Sequence, residues 1–215
     1  VCLSCTCALI LAFLSTSLRP RQEKAEELNR SQEMLVASRI FSSEGYFLMK
    51  NNKGEYVPAR YDPKGFFVEG KTTDIPTPDE VFEVYQSRVN TFLVDREGRR
   101  YTFEEAGIEK VEYISSNRKK GYESLPYKLV YEVSPNGVPA SKMAERGVGP
   151  DSYIIPVKGF GLWDAIYGYI AMEPDGDTVR GIAWYEHKET PGLGANIAKP
   201  QWQEQFHGKS LFLQG

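Results

Sequence analysis

The sequence predicts an α+β protein: an N-terminal transmembrane helix over 1–18, a juxtamembrane stalk helix over 19–40, and a mixed α/β extramembrane region beyond. Three observations carry that prediction. No formal charge precedes Arg19. A Thr77-Pro78-Asp79-Glu80 capping signal opens a helical repeat among strand-like segments. Pro174-Asp175-Gly176-Asp177 joins two apolar runs, and Asp-Gly between such runs is a strong hairpin signal.

The bulk composition sets the bounds. The 215 residues carry 26 Lys+Arg against 29 Asp+Glu, a net charge of -3, which argues against a nucleic-acid partner. With 41% hydrophobic and 26% charged residues the chain is globular rather than disordered or low-complexity. Its three cysteines all lie within the first seven residues, so the folded part has no disulfide framework and must rest on its core.

Thirteen of the first eighteen residues are apolar and the other five are Ser or Thr. As a helix they reach roughly 27 Å, just short of a hydrocarbon core of about 30 Å. The chain begins at Val1 without an initiator Met, so the span is expected to start a few residues earlier. A cleaved signal peptide would need a small-residue site after the run, where Arg19-Pro20-Arg21 stands instead. A buried core helix would not be apolar on every face. The segment reads as a membrane anchor in the lipid bilayer. Cys2, Cys5 and Cys7 sit inside it as small polarisable residues, because thiolate ligands in hydrocarbon are costly.

The helix continues to about Ser38, with Glu26–Arg30 as a favourable i,i+4 pair and Leu28 and Leu35 on one face at heptad spacing. This pattern is a stalk leaving the bilayer, and a merely solvated helix fits it equally well. Residues 41–150 read as an α/β insert. Tyr46–Met49, Glu55–Arg60 and Phe66–Val68 are strand candidates, with a turn at 51–54 between the first two. The capped helix follows, with Val81, Val84, Tyr85 and Val89 as its apolar face. Thr91–Val94 and Tyr101–Phe103 form a hairpin around 96–99, and Arg118-Lys119-Lys120 reads as a solvated loop. Nothing in the insert carries a chemistry of its own.

The last 65 residues differ. Tyr153–Val157 is a strand leading to Gly161-Leu162-Trp163. The Asp-Gly hairpin spans Tyr167–Met172 and Thr178–Tyr185, and Pro200 opens a short helix with Trp202 and Phe206 at i,i+4. The second hairpin strand runs into Glu186-His187-Lys188-Glu189-Thr190-Pro191-Gly192-Leu193-Gly194. In such a loop Gly192 and Gly194 let backbone N–H groups approach a ligand. Thr190 adds a hydroxyl, Pro191 stiffens the loop and Leu193 offers an apolar surface. The set suits a flat ring with amide-like edges, though a G-x-G in a turn is more often only a turn. With only His187 and His207 present, no metal site is expected. The absence of G-x-S-x-G, and of a Cys/His pair outside the anchor, argues against a hydrolase.

The string Gly161-Leu162-Trp163, the Asp-Gly hairpin and Glu189-Thr190-Pro191-Gly192-Leu193-Gly194 resembles the FMN-binding domain of the C subunit of the Na⁺-translocating NADH:quinone reductase. The G subunit of the Rnf electron-transport complex shares that core, but places its E-T-P-G-L-G much nearer the membrane helix. The resemblance implies that 151–215 is the N-terminal part of an FMN-binding domain. It also implies a redox role: relaying electrons through FMN among the other subunits of an ion pump. By motif position, Glu189, Thr190, Gly192, Leu193 and Gly194 would surround the isoalloxazine ring, with Trp163 beside them.

In that family FMN is held by a phosphoester to a Thr of an S-G-A-T-x-[ST] motif, which this sequence does not contain. The chain is therefore expected either to be truncated before that motif or to be a variant that does not tether FMN. The family's domain lies on the periplasmic face of the bacterial inner membrane, and the resemblance implies the same side for this chain. Arg19, Arg21 and Lys24 after the anchor would by the positive-inside rule favour the opposite side. Two alternatives stay open: an Rnf-type electron-transport subunit, and a non-catalytic envelope-anchored assembly or binding module.

Overall fold

The computed structural model describes residues 2–212, with side chains at Cys7, 16–19 and 21–212 except Tyr122. Its elements run α1 (Cys2–Ala37), β1 (Phe47–Lys50), β2 (Tyr56–Tyr61), β3 (Phe67–Glu69), α2 (Pro78–Arg88), β4 (Val89–Val94) and β5 (Arg100–Tyr101). Next come α3 (Lys110–Asn117), β6 (Lys128–Val133), α4 (Met143–Arg146), β7 (Ser152–Phe160), β8 (Ala165–Met172), β9 (Val179–Glu186) and α5 (Pro200–Gln203).

The backbone passes from the expected anchor into the expected stalk as one uninterrupted helix. Most side chains of the expected anchor lie outside the described residues. Among those described, no helix is long and apolar enough to cross a membrane. The last turns of α1 are neither stalk nor solvated surface: Met34, Leu35, Ala37 and Ser38 are buried in the core. Helix α1 ends where Arg39 takes a left-handed conformation, φ +57°. The N–H groups of Ile40 and Phe41 both donate to the Leu35 carbonyl there. Arg39 is held in that conformation by Glu204 at 2.8 Å and by the Tyr56 ring beneath its guanidinium.

Strands β1–β2–β3 form a small antiparallel sheet, and the larger antiparallel sheet has the order β5-β4-β6-β7-β8-β9. The capping box at Thr77 forms as the sequence requires: Thr77 accepts from the Glu80 N–H, and Glu80 accepts from the Thr77 N–H. Both expected hairpins form, β4–β5 and β8–β9. Strand β6 adds to the expected set, and its Leu129, Tyr131 and Val133 share one buried face. This strand pairs with β4 on one side and with β7 on the other, Tyr131 opposite Ile154. Strands from both sides of residue 150 thus share one sheet.

Helix α1 lies on the β8–β9 side of that sheet and touches α2. Gly181 on β9 permits the approach, since a Cβ there would lie 2.5 Å from the Ala37 carbonyl oxygen. Arg180, its neighbour, is fully buried, yet it bridges the Asp151 carboxylate at 2.5 Å and Glu173 through two nitrogens. Burial opposes the charge, but the bonds to Glu173 and Asp151 prevail and keep Arg180 protonated. This contact fixes the β8–β9 hairpin to the start of β7. The Arg118–Lys120 run is a solvent-facing turn as expected, within which Arg118 pairs with Glu26 and Lys119 with Glu186.

Candidate functional site

Topology brings two distant segments to one end of the large sheet. β7 ends at Phe160, opposite Ala165 at the start of β8, and β9 ends at Glu186, opposite Tyr167. The 161–164 turn and the 187–194 loop therefore leave the sheet side by side. Gly161 N–H donates to the Asp164 carbonyl at 2.9 Å to close the turn.

Two bonds and one ion pair join the segments. The Trp163 backbone N–H donates to Glu189 Oε1 at 3.3 Å, and its indole Nε1–H donates to Thr190 Oγ1 at 3.0 Å. Lys188 pairs with Asp164, and that bond holds the Asp164 carboxyl below, and the Lys188 ammonium above, their ordinary values. Glu189 is the centre of the clasp. Its carboxylate occupies the space that a Cβ on Gly161 or on Gly194 would need. Gly194 thus makes room for Glu189.

The loop itself is a tight turn around Thr190. The N–H groups of Leu193 and Ala195 both donate to the Thr190 carbonyl, at 3.1 and 3.2 Å. Gly192 has φ +79°, a left-handed conformation that glycine adopts without strain. Asn196 Nδ2 donates to the Gly192 carbonyl at 3.2 Å. His187 supports the backbone, its Nδ1 accepting the Glu189 N–H at 3.3 Å, and His207 Nδ1 contacts the Arg180 carbonyl at 2.8 Å. Among the described residues no group of three His, Cys, Asp or Glu side chains is placed to hold a metal.

The outward surface is unusual in its apolar content. Trp163 is 67% exposed, Leu193 73%, Leu162 81% and Phe160 88%. Where a Cβ on Gly192 would stand, nothing lies within 4 Å. An open glycine, an apolar leucine, an indole and a threonine hydroxyl on one edge fit a flat heteroaromatic ring with polar rims. The structure thus brings Trp163, Glu189 and Thr190 into direct contact, with Gly192 and Leu193 on the same turn. The inward role of Glu189 is absent from the sequence expectation. Gly161 is the signal for it: a second glycine far away in sequence but adjacent across the sheet end.

Known proteins resemble this chain, both in this region and over nearly its whole length. Residues 161–211 match the model of the FMN-binding domain. The chain is 37% identical over 217 residues to the C subunit of the Na(+)-translocating NADH-quinone reductase of Chlamydia trachomatis, covering 98% of this chain and 68% of that protein. It is 41% identical over 212 residues to the protein of the same name from Chlamydia caviae, covering 94% of this chain and 66% of that one. A crystal structure of the corresponding protein from Parabacteroides distasonis shares the fold, with a TM-score of 0.53 at 23% identity over 92% of this chain and 72% of that one. The chain spans about two thirds of the length of the curated relatives it matches.

Proposed function

Since the chain belongs to the family of Na⁺-translocating NADH-quinone reductase C subunits, we propose that it is a membrane-anchored flavin subunit of such a complex, relaying electrons among the other subunits through FMN. The observation that carries this reading is the clasp of the two loops inside the FMN-binding match, where Trp163 and Glu189–Thr190 meet. When bound, FMN supplies electron transfer in one-electron steps.

The chain's own residues do the rest. Thr190 Oγ1 accepts from the indole of Trp163, which leaves its own O–H to donate towards a carbonyl or nitrogen on the ring edge. Leu193 and Trp163 present apolar surface to the ring and exclude water from it. Glu189 does not touch the ring in this reading; it locks the two loops so that the Thr190 hydroxyl stays in place.

Residues 1–18 form the membrane anchor in the inner membrane, and the α/β domain stands on the periplasmic side, as in the family's arrangement. The 151–215 segment supplies the flavin loops, and strands of the 41–150 segment complete the sheet that carries them.

The test is the native polypeptide, extracted from its own membranes and denatured. Yellow flavin fluorescence that stays with the protein band supports a covalent flavoprotein. A native chain with no flavin, bound or released, overturns the electron-relay reading and leaves a stalked binding module.

A further inference from the structure

A second site stands apart from the loop clasp. Helices α1, α2 and α3 do not close on the face of the large sheet; they leave a cavity of about 840 Å³, within the size range of small-molecule sites. None of Trp163, Glu189, Thr190, Gly192, Leu193 or Gly194 lines it.

Its walls carry more cations than carboxylates. Lys24, Arg30, Lys110, Arg118, Lys120 and Lys158 line it, against the carboxylates of Glu23, Glu26 and Glu27. Sequence spacing pairs Glu26 with Arg30, but in the fold Glu26 pairs with Arg118 at 3.2 Å. Arg30 Nη1 is left buried with no hydrogen-bond partner. A buried guanidinium nitrogen without a partner is rare enough to need a cause, and a bound anion supplies one.

The floor is aromatic. Phe82, Tyr85, Tyr167, Tyr169 and Tyr185 line the same cavity. Burial pushes the Tyr85 and Tyr185 hydroxyls up to about 12 and raises Tyr169 well above its ordinary value, so all three stay protonated and can donate. Tyrosines combine a flat apolar face with a polar tip. Surrounded by cations, such faces fit a planar ring that carries negative charge.

We propose that the cavity between α1–α3 and the face of the large sheet binds an aromatic anion, with Arg30 as the principal charge contact and Lys158 as a second. This site is independent of the flavin reading and does not need the 187–194 loop.

The test is a titration of the full chain in detergent with 1-naphthyl phosphate, followed by the fluorescence anisotropy of the probe. Saturable binding is expected, at least tenfold weaker in Arg30→Met and partly restored in Arg30→Lys. Neutral 1-naphthol should fail to saturate, and Thr190→Val should bind the phosphate within twofold of wild type. If Arg30→Met does not melt as wild type does, Lys158→Met takes its place, with a severalfold loss expected. Absence of saturable binding, undiminished binding by a folded charge-removal variant, or equal affinity for naphthol overturns the proposal. So does loss of binding in Thr190→Val, which would make the two sites one.

Discussion

The indole Nε1–H of Trp163 donates to the hydroxyl oxygen of Thr190 at 3.0 Å, across a separation of 27 residues. Neither residue owes its position to local sequence. The antiparallel β7–β8–β9 order alone brings them together. The hydroxyl therefore has its orientation set before any ligand arrives, which is the kind of preorganisation that a redox site uses to favour one charge state over another.

Thr190→Val and Trp163→Phe remove the two halves of that bond while keeping bulk. An exposed neutral hydrogen bond contributes about 0.5–1.5 kcal/mol at most, so both variants should melt within a few degrees of wild type. The midpoint potential of bound flavin should move in both, and further in Thr190→Val, which also loses the outward hydroxyl. Potentiometric titration with flavin absorbance checks this, and unchanged potentials in both variants would remove Thr190 from the site.

Gly161→Ala and Gly194→Ala should each expel the Glu189 carboxylate from between the loops. The glutamate tip is flexible and partly exposed, so its expulsion costs little stability, about 0.5–1 kcal/mol. Weaker flavin retention and a lower melting temperature are expected in both. Glu189→Gln, which keeps the acceptor oxygen, should fall between them and wild type. Comparing flavin release rates with thermal melts separates the loop effect from general unfolding.

Gly181→Ala should destabilise the fold without touching the loops. The added methyl meets the Ala37 carbonyl, which is backbone at the end of a buried helix turn and has little room to give. A loss of about 1–3 kcal/mol follows from overpacking. Urea denaturation should show a lower midpoint, while the flavin potential of the folded fraction stays put.

Glu33 gives the stability a pH dependence. Burial on α1 lifts its carboxyl from 4.5 to about 7. Folding then favours the protonated form, so the stability linked to this group is complete below about pH 4.5 and declines as pH rises through about 7. Glu33→Gln should be more stable than wild type at pH 8 and equal to it near pH 4. Melting curves of both proteins across that interval decide the point, and parallel curves would count against a buried acid at 33.

Local chemistry is readable from sequence wherever one short segment determines the outcome. The Thr77 capping box, the 174–177 hairpin turn and the Trp202–Phe206 contact at 4.9 Å all depend on residues a few positions apart. The apolar run before Arg19 is a sequence fact whose side chains mostly lie outside the described residues. Strand β6 escapes a sequence reading because its apolar run at 129–131 breaks the alternation, and only its pairing with β4 and β7 reveals its role. Burial of α1 at Leu35 and Ala37 escapes it for a related reason: a helix with Leu at heptad spacing looks the same whether a sheet covers it or water does. Of the site, the residue types of the 189–194 loop are legible. The clasp through Trp163, Gly161 and Glu189 is not, since it depends on two strand ends meeting.

The 36-residue span of α1 has a mechanical side. Among its described side chains the buried ones run from Ser31 to Ala37, and ahead of them Glu26 is tied to Arg118. The remaining helix back to Cys2 projects about 43 Å at 1.5 Å per residue. It acts as a lever whose fulcrum is the Gly181–Ala37 contact, so a tilt of one degree there carries the far end, about 52 Å away, by roughly 0.9 Å. Small repacking on β9, the strand that leads directly into the Glu189 loop, is thereby amplified into displacement at the opposite end of the molecule.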